Sequence, residues 1–147
     1  MEQATAKAAP SDRQQATREA GVVSSVNSGE KKGYRRLVAW QKADELAYEI
    51  YKVTKEFPRD ERFGLISQMR RASISVAANI VEGYTHFSRK ERSRFYEIAR
   101  ASLTELEYYI DFVYERLGYL TKEQHEIVAS LRQDVGRLLY GLLRSEK

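Results

Sequence analysis

The chain has 147 residues, of which 42% are hydrophobic and 31% charged, a balance typical of one globular domain with a buried core. It contains no cysteine, which excludes disulfides, thiolate metal sites and a cysteine nucleophile. Its 25 basic and 21 acidic side chains leave a net charge of +4, which permits polyanion binding without requiring it. No segment has a signal-peptide pattern or the ~18 apolar residues of a membrane span, so we expect a cytoplasmic protein.

Residues 1–33 are expected to form a flexible, disordered tail. Ala, Ser, Gln, Glu, Lys and Arg dominate there, and large apolar residues are almost absent. Such a segment buries too little apolar surface to offset the entropy of ordering. A segment left from expression or fusion is the alternative interpretation. The folded domain is therefore predicted for residues 34–147.

The first two predicted helices differ in how many neighbours they need. Helix one is predicted from Leu37 to Phe57, where Pro58 ends it and apolar residues recur three or four positions apart. Helix two is predicted from Glu61 to Gly83 and is apolar or small around much of its girth. A helix of this kind requires contacts on more than one side.

Two capping boxes predict the starts of the remaining helices. Ser88 and Glu91 have the required spacing at the start of helix three, which is expected to end at Gly118 as a left-handed cap. A second box at Thr121 begins helix four, which is expected to run to about Leu143 with this core stripe: Val128, Leu131, Val135, Leu138, Leu142. Short connections favour antiparallel neighbours, so the sequence predicts an all-α, up-down-up-down four-helix bundle.

Several segments resemble a known family. They are Trp40-Gln41-Lys42-Ala43, Phe57-Pro58 with Glu61 and Gly64-Leu65, the run from Gln68 to Gly83 that reads QMRRASISVAANIVEG, and the run from Ala99 to Glu107 that reads ARASLTELE. Together they resemble the four-helix bundle family encoded in intervening sequences of large-subunit ribosomal RNA genes. Ala101 departs from the pattern, since glycine is more usual there, and this small-for-small change is expected to matter little.

The resemblance implies a protomer that commonly assembles into a homopentamer, with no known catalytic activity. The same fold is used by the accessory protein of diversity-generating retroelements, which resembles a basic barrel that binds a reverse transcriptase and nucleic acid. RNA, DNA and a reverse transcriptase are therefore candidate partners. Because folds host many functions, this resemblance predicts the fold more firmly than the function.

Basic residues form the candidate nucleic-acid surface. One cluster precedes helix one, a second lies at the start of helix three, and one arginine of the Arg70-Arg71 pair is expected to be free. Cations in such clusters can neutralise phosphates, and a ring of subunits would multiply each cluster. An ordinary solvated face is the alternative, since acidic residues are interspersed. The candidates are Lys31, Lys32, Arg35, Arg36, Arg70, Arg89, Lys90, Arg92 and Arg94.

A second group of residues is predicted to be structural. The antiparallel arrangement places Arg71 within reach of Glu105, which predicts an interhelical ion pair. Asn79 on the seam of helix two is expected to fix register, and Gly83 to close that helix. Glu82 lies near a helix C-terminus, where a carboxylate is unfavourable, so it is expected to pair with Arg94 or Arg89.

The aromatic residues and histidines do not indicate catalysis. Eight tyrosines on helices or at their ends are expected to be buried at helix or subunit interfaces, with base stacking as the alternative: Tyr48, Tyr51, Tyr96, Tyr108, Tyr109, Tyr114, Tyr119, Tyr140. A di-metal bundle needs Glu three residues before His, yet Gly83 and Lys122 hold those positions before His86 and His125. We therefore expect no enzyme, no metal and no cofactor.

Two functional hypotheses follow. The first is a homo-oligomeric helical adaptor that binds nucleic acid or a nucleic-acid enzyme such as a retroelement reverse transcriptase. The second is a protein-binding structural scaffold without nucleic-acid affinity. The sequence does not name the partner in either case.

Overall fold

Four α-helices make up most of residues 33–147, the part of the chain that this computed structural model describes. α1 spans Val38–Thr54, α2 Leu65–Thr85, α3 Arg89–Glu115 and α4 Lys122–Ser145, with short 3-10 helices at Gly33–Arg36 and Arg59–Glu61. Within the described range there is no strand, and no helix has the length and apolar character needed to cross a membrane. Apart from Gly33, the predicted tail lies outside the described residues.

Each of the four helices packs against two of the others. α2 lies between α1 and α3, and α4 lies between α3 and α1. Side chains from all four helices meet in one core, whose largest fully buried members include Leu46, Ile50, Met69, Ile80, Leu106, Ile110 and Leu139. The prediction of an all-α four-helix bundle is confirmed.

The predicted boundary between helices one and two was wrong by several residues. α1 ends at Thr54, and the chain continues in a turn in which the Phe57 amide donates to the Thr54 carbonyl. α2 begins only at Leu65, because Gly64 has a non-helical conformation (φ −111°, ψ −109°) that separates it from the preceding 3-10 helix. The side chain of Phe57 is buried and lies against Tyr119, with ring centroids 5.1 Å apart.

The two predicted capping boxes have different outcomes. Thr121 and Gln124 form the complete reciprocal box at the start of α4. Ser88 accepts from the Glu91 amide, but the Glu91 carboxylate bonds Arg94 and does not reach back to Ser88. Gly118 has the predicted left-handed conformation, with φ of 66°. Both hydrogen bonds of the Thr121 box and one of the two expected for the Ser88 box are therefore present.

The core stripe of α4 deviates from the predicted heptad towards its end. Val128, Leu131 and Val135 are buried as expected, but the next buried positions are Leu139 and Leu143, while Leu138 and Leu142 are only partly buried. A straight α-helix has 3.6 residues per turn, so its core-facing side drifts away from an exact seven-residue repeat. The stripe therefore shifts by one residue within two turns.

Gly83 brings α2 unusually close to α3. A Cβ at this position would lie 2.6 Å from Cε1 and 2.8 Å from Cδ1 of Tyr96, and 3.2 Å from the Arg92 carbonyl oxygen. Tyr96 is itself buried, and burial of its ring raises the pKa of its hydroxyl. The ring has no room to withdraw, so only glycine permits this approach of the two helices.

Gly83→Ala should therefore destabilise the bundle, by about 2 kcal/mol, because overpacking forces a shift of backbone or ring. The matched control is Gly141→Ala in α4, where a Cβ would meet no atom within 4 Å. That control should gain stability by about 0.5–1 kcal/mol through lower chain entropy. Urea unfolding followed by circular dichroism measures both changes, and equal effects of the two substitutions would contradict the close packing of α2 on α3.

Candidate functional site

Arg92, a predicted phosphate-binding residue, is engaged within the protein. Its Nε and Nη2 donate to the two carboxylate oxygens of Glu146, each at 2.9 Å. Its Nη1 donates to the carbonyl oxygens of His86 and Phe87, at 3.0 and 2.6 Å. The bond to Glu146 raises the pKa of Arg92. Arg92 thus ties the turn between α2 and α3 to the end of α4, which leaves less of its charge available for a phosphate.

The other cations at the start of α3 are only partly free. Arg94 Nε donates to Glu91 Oε1 at 3.3 Å, and its guanidinium lies 4.5 Å from the Phe95 ring centroid. Arg89 donates a long bond of 3.4 Å to the Lys147 carbonyl oxygen. Lys90 is exposed and makes no ion pair with any described residue. This cluster therefore offers less uncompensated charge than its composition suggests.

The cluster before α1 is described only in part. Lys31 and Lys32 lie outside the described residues. The Arg35 guanidinium lies 5.6 Å from the Tyr34 ring centroid and 5.3 Å from that of Trp40. Arg36 Nη2 donates to the Tyr84 hydroxyl at 3.3 Å. Both arginines are exposed, and their guanidinium groups lie against aromatic side chains of the bundle.

The prediction that one arginine of the Arg70-Arg71 pair is free was wrong. Arg70 Nε donates to Thr54 Oγ1 at 2.9 Å, and its Nη2 donates to the Tyr51 carbonyl oxygen at 3.3 Å. Its guanidinium also lies 4.5 Å from the centroid of the Tyr51 ring. The last turn of α1 carries carbonyl groups without helical partners and the negative end of the helix dipole, and both attract a cation.

Arg71 forms the predicted ion pair with Glu105 across α2 and α3. Gln68 Oε1 accepts from Arg71 Nε at 3.1 Å, and the Tyr109 hydroxyl donates to Glu105 Oε2 at 2.7 Å. That bond to the carboxylate raises the pKa of Tyr109. These contacts are partly exposed, so they set the register of the two helices more than they add stability.

The seam between α2 and α3 also carries a short polar chain. Asn79 Nδ2 donates to the Ser75 carbonyl oxygen at 2.8 Å, and Ser75 Oγ lies 2.8 Å from Ser102 Oγ. This arrangement fits the register role expected for Asn79. The prediction for Glu82 was wrong, because its exposed carboxylate forms no ion pair with a described residue.

An apolar outer face runs across α1, α2 and α3. Exposed side chains on it include Tyr48 (64% exposed), Ile74 (47%) and Tyr108 (63%), and Tyr51 and Ile98 are more than one-third exposed. Ile74 shares a groove of about 530 Å³ with Tyr48 and Tyr51. The hydrogen bond between Ser75 and Ser102 places these two residues at the same level along the bundle axis. We define the outer face as Tyr48, Tyr51, Ile74, Ala78, Ile98, Ala101 and Tyr108.

The tyrosines divide into two groups. Tyr96 is buried, and Tyr109, Tyr114 and Tyr119 pack partly against the core, as predicted. Tyr48, Tyr51, Tyr108 and Tyr140 are exposed in the single chain. The first three belong to the outer face, and Tyr140 lies on α4.

Asp44 lines the same α1–α2 groove as Ile74. Its partial burial raises the pKa of the carboxyl group, while the positive charge of Arg35 opposes this shift. The outward side of α4 differs in character, since it presents Glu126, Gln133 and Arg137 to solvent. Ile127 (51% exposed) and Tyr140 (60%) also lie on α4, so the two sides differ in degree: exposed apolar side chains are more numerous on α1, α2 and α3.

A basic groove at one end of the bundle was not predicted from the sequence. It has a volume of about 610 Å³ and lies where α1 ends and α2 begins. We call it the end groove, lined by Thr54, Lys55, Phe57, Arg59, Arg62, Ile66 and Arg70. Glu56, Asp60 and Glu61 alternate with its cations along the chain, which hides the cluster in the sequence. The i, i+4 and i, i+3 spacing of Lys55, Arg59 and Arg62 was the signal that could have revealed it.

Neither histidine forms part of a metal site in the described residues. No group of three or more His, Cys, Asp or Glu side chains comes together in residues 33–147. The His86 ring stacks on Phe95 with centroids 4.9 Å apart, and the His125 ring stacks on Tyr114 at 4.0 Å. Both imidazoles therefore pack as aromatic rings.

These features define a four-helix bundle with an apolar side, and comparison with known proteins identifies its family. Residues 35–141 match the family model of the 23S rRNA-intervening sequence protein, and the chain belongs to this family. It is similar to a protein of unknown function from the S23 ribosomal protein family of Bacteroides thetaiotaomicron VPI-5482, whose crystal structure was determined at 1.70 Å. The two are 27% identical with a TM-score of 0.66, covering 73% of this chain and 96% of the other. No curated protein matches the chain.

The different engagement of the arginines generates a prediction about stability. Arg92→Gln should lower the midpoint of urea unfolding clearly, because it removes the link from the α2–α3 turn to the end of α4. Arg94→Gln is the matched control, since it removes the same charge but breaks only an exposed contact within one helix. A midpoint lowered equally by both substitutions would show that Arg92 has no special structural role.

Proposed function

We propose that this chain is a non-enzymatic homo-oligomeric adaptor whose copies assemble through the outer face. The observation that carries the proposal is the exposure of Tyr48, Ile74 and Tyr108 on one side of the bundle. The family resemblance suggests a pentamer. In this assembly each bundle uses its apolar side for a neighbour and keeps its polar α4 side for solvent or a partner.

The composition of the outer face supports self-association. Tyrosine is enriched in protein interfaces, where its ring is buried and its hydroxyl reaches the wet rim. Ala78 and Ala101 are exposed and small, so they allow close approach of another helix. Contiguous exposed apolar surface of this kind is typical of interaction sites. Helix two is apolar or small around much of its circumference. Contacts with a neighbouring subunit, in addition to those within the bundle, would account for this.

The adaptor role extends to a nucleic-acid partner. We infer binding to RNA or DNA, or to a nucleic-acid enzyme such as a reverse transcriptase, because assembly multiplies every basic groove by the number of subunits. The resemblance noted in the sequence to the accessory protein of diversity-generating retroelements motivates the reverse transcriptase as a candidate. Catalysis is not part of the proposal.

A protein-binding scaffold without nucleic-acid affinity is the second candidate. It is favoured by the internal engagement of Arg92, whose bonds to Glu146 leave little of its charge for a phosphate. Binding of the whole chain to RNA and DNA across a salt series separates the two. A steep loss of affinity with salt supports the adaptor, and no binding at low salt leaves the scaffold.

Ile74→Glu should disrupt the assembly, because it places a carboxylate in the middle of the outer face, where assembly would have to remove water from the charge. The matched control is Gln133→Glu on the outward side of α4, which introduces the same charge on an exposed polar surface. Multi-angle light scattering should give an oligomer for the wild type and the control, and a folded monomer for Ile74→Glu. A wild-type monomer at high concentration, or an intact Ile74→Glu oligomer, would contradict assembly through this face.

A further inference from the structure

We propose that the end groove binds the phosphate backbone of a single-stranded nucleic acid, with a base stacked on the neighbouring ring of Phe63. The inference deepens the nucleic-acid part of the proposed function and rests on it. It assigns that binding to the end of the bundle where α1 ends and α2 begins. The basic cluster at the start of α3 lies at the opposite end.

The charge of the end groove is not compensated by its own lining. Lys55, Arg59, Arg62 and Arg70 contribute four cations, and no lining residue is acidic. Lys55, Arg59 and Arg62 are exposed and form no ion pair with a described residue. Cations without carboxylate partners can each neutralise a phosphate and release a condensed counterion.

The acidic residues near the end groove are directed elsewhere. Glu61 Oε2 accepts from the Tyr119 hydroxyl at 2.8 Å, which raises the pKa of Tyr119, and Glu61 Oε1 lies 3.5 Å from the Leu65 amide. Glu56 and Asp60 are exposed and do not line the groove. The carboxylates that obscure this cluster in the sequence therefore leave the groove itself positive.

The guanidinium of Arg70 is held in place at one side of the groove. Its bonds to Thr54 and Tyr51 hold the guanidinium against the end of α1, so it contributes positive charge without needing to be ordered by a ligand. The exposed side chains of Lys55, Arg59 and Arg62 line the same groove. A site with one preset cation and several adaptable ones suits a flexible backbone with irregular phosphate spacing.

Phe63 supplies a stacking surface beside the cations. Its side chain is 88% exposed, and the Arg62 guanidinium lies 5.6 Å from its ring centroid. An apolar ring held in water next to a phosphate-binding cation fits the combination of stacking and charge that single-strand sites use. A duplex keeps its base faces stacked inside, so it cannot use Phe63 in this way.

Two other surfaces resemble this site and fit a nucleic acid less well. Phe87 is 98% exposed in the turn before α3, but the neighbouring Arg92 is bound to Glu146. A larger groove of about 730 Å³ between α3 and α4 contains Arg100, Arg144 and Lys147, yet Glu97 also lines it and accepts from Arg100 Nε at 2.9 Å. Unlike the groove between α3 and α4, the end groove has no acidic side chain in its lining, and the exposed ring of Phe63 follows its lining residue Arg62 in the chain.

The test compares matched variants of the full chain in fluorescence anisotropy with a labelled oligouridylate and its duplex. Arg59→Gln/Arg62→Gln should reduce the slope of log affinity against log salt by about 1.4, which is two phosphate contacts on a single strand. Phe63→Ala should weaken single-strand binding roughly tenfold with little change for the duplex. Arg59→Lys/Arg62→Lys should keep the wild-type salt slope.

The control variants carry equal changes at the opposite end of the bundle. Lys90→Gln/Arg94→Gln removes the same charge from the cluster at the start of α3, and Phe87→Ala removes the other exposed ring. Both should bind the single strand within about twofold of the wild type if the contacts are local. Thermal unfolding confirms that each variant is folded, and the exposure of Arg59, Arg62 and Phe63 predicts that all are.

The outcomes separate failure of this inference from failure of the proposed function. If the wild type binds but the control variants lose as much as the groove variants, or if Phe63→Ala has no effect, the end groove is not the site. If the wild type binds no nucleic acid at low salt, the nucleic-acid role falls together with the groove. The light-scattering result for Ile74→Glu is independent of both.

Discussion

The buried Tyr96 ring lies against the backbone of Gly83, and this contact sets the distance between α2 and α3. Close approach of the two helices brings Ser75 within hydrogen-bond distance of Ser102 and Arg71 within reach of Glu105. These polar contacts then fix the register. Small side chains on α2 make this close approach possible. The two sides of α2 pack against α1 and α3.

The remaining surface of α2 explains the asymmetry of the bundle. With both flanks occupied, Ile74 and Ala78 face outward, and Ile74 lies beside the tyrosines of α1. α4 presents mainly charged and amide side chains, together with Ile127 and Tyr140. An apolar side of this composition is better suited to another protein surface than to water. Arg92 at the start of α3 serves the bundle itself, through its bonds to Glu146 and to the turn between α2 and α3. What is left for a polyanion is a groove formed by the connection between α1 and α2.

Most features that the sequence predicted follow from local patterns or from the antiparallel arrangement that they imply, and most of those it missed depend on contacts between distant segments. Helix periodicity and the Thr121 cap were sufficient for the fold, and the antiparallel arrangement was sufficient for the Arg71–Glu105 pair. The late start of α2 escaped prediction, because nothing local shows that Gly64 leaves the helical conformation. The engagement of Arg92 escaped too, since its partner Glu146 lies 54 residues away. The end groove was hidden because acidic neighbours balance its cations along the chain but not in space.

Chemical modification of tyrosines in the whole protein tests the outer face most directly. Tyr48, Tyr108 and Tyr140 are almost equally exposed in the single chain, at 64%, 63% and 60%. Acetylation at low and high protein concentration, read by mass spectrometry, should therefore modify all three when the protein is dilute. Self-association through the outer face predicts that Tyr48 and Tyr108 become protected at high concentration while Tyr140 remains reactive. Equal reactivity of the three tyrosines at every concentration would contradict it.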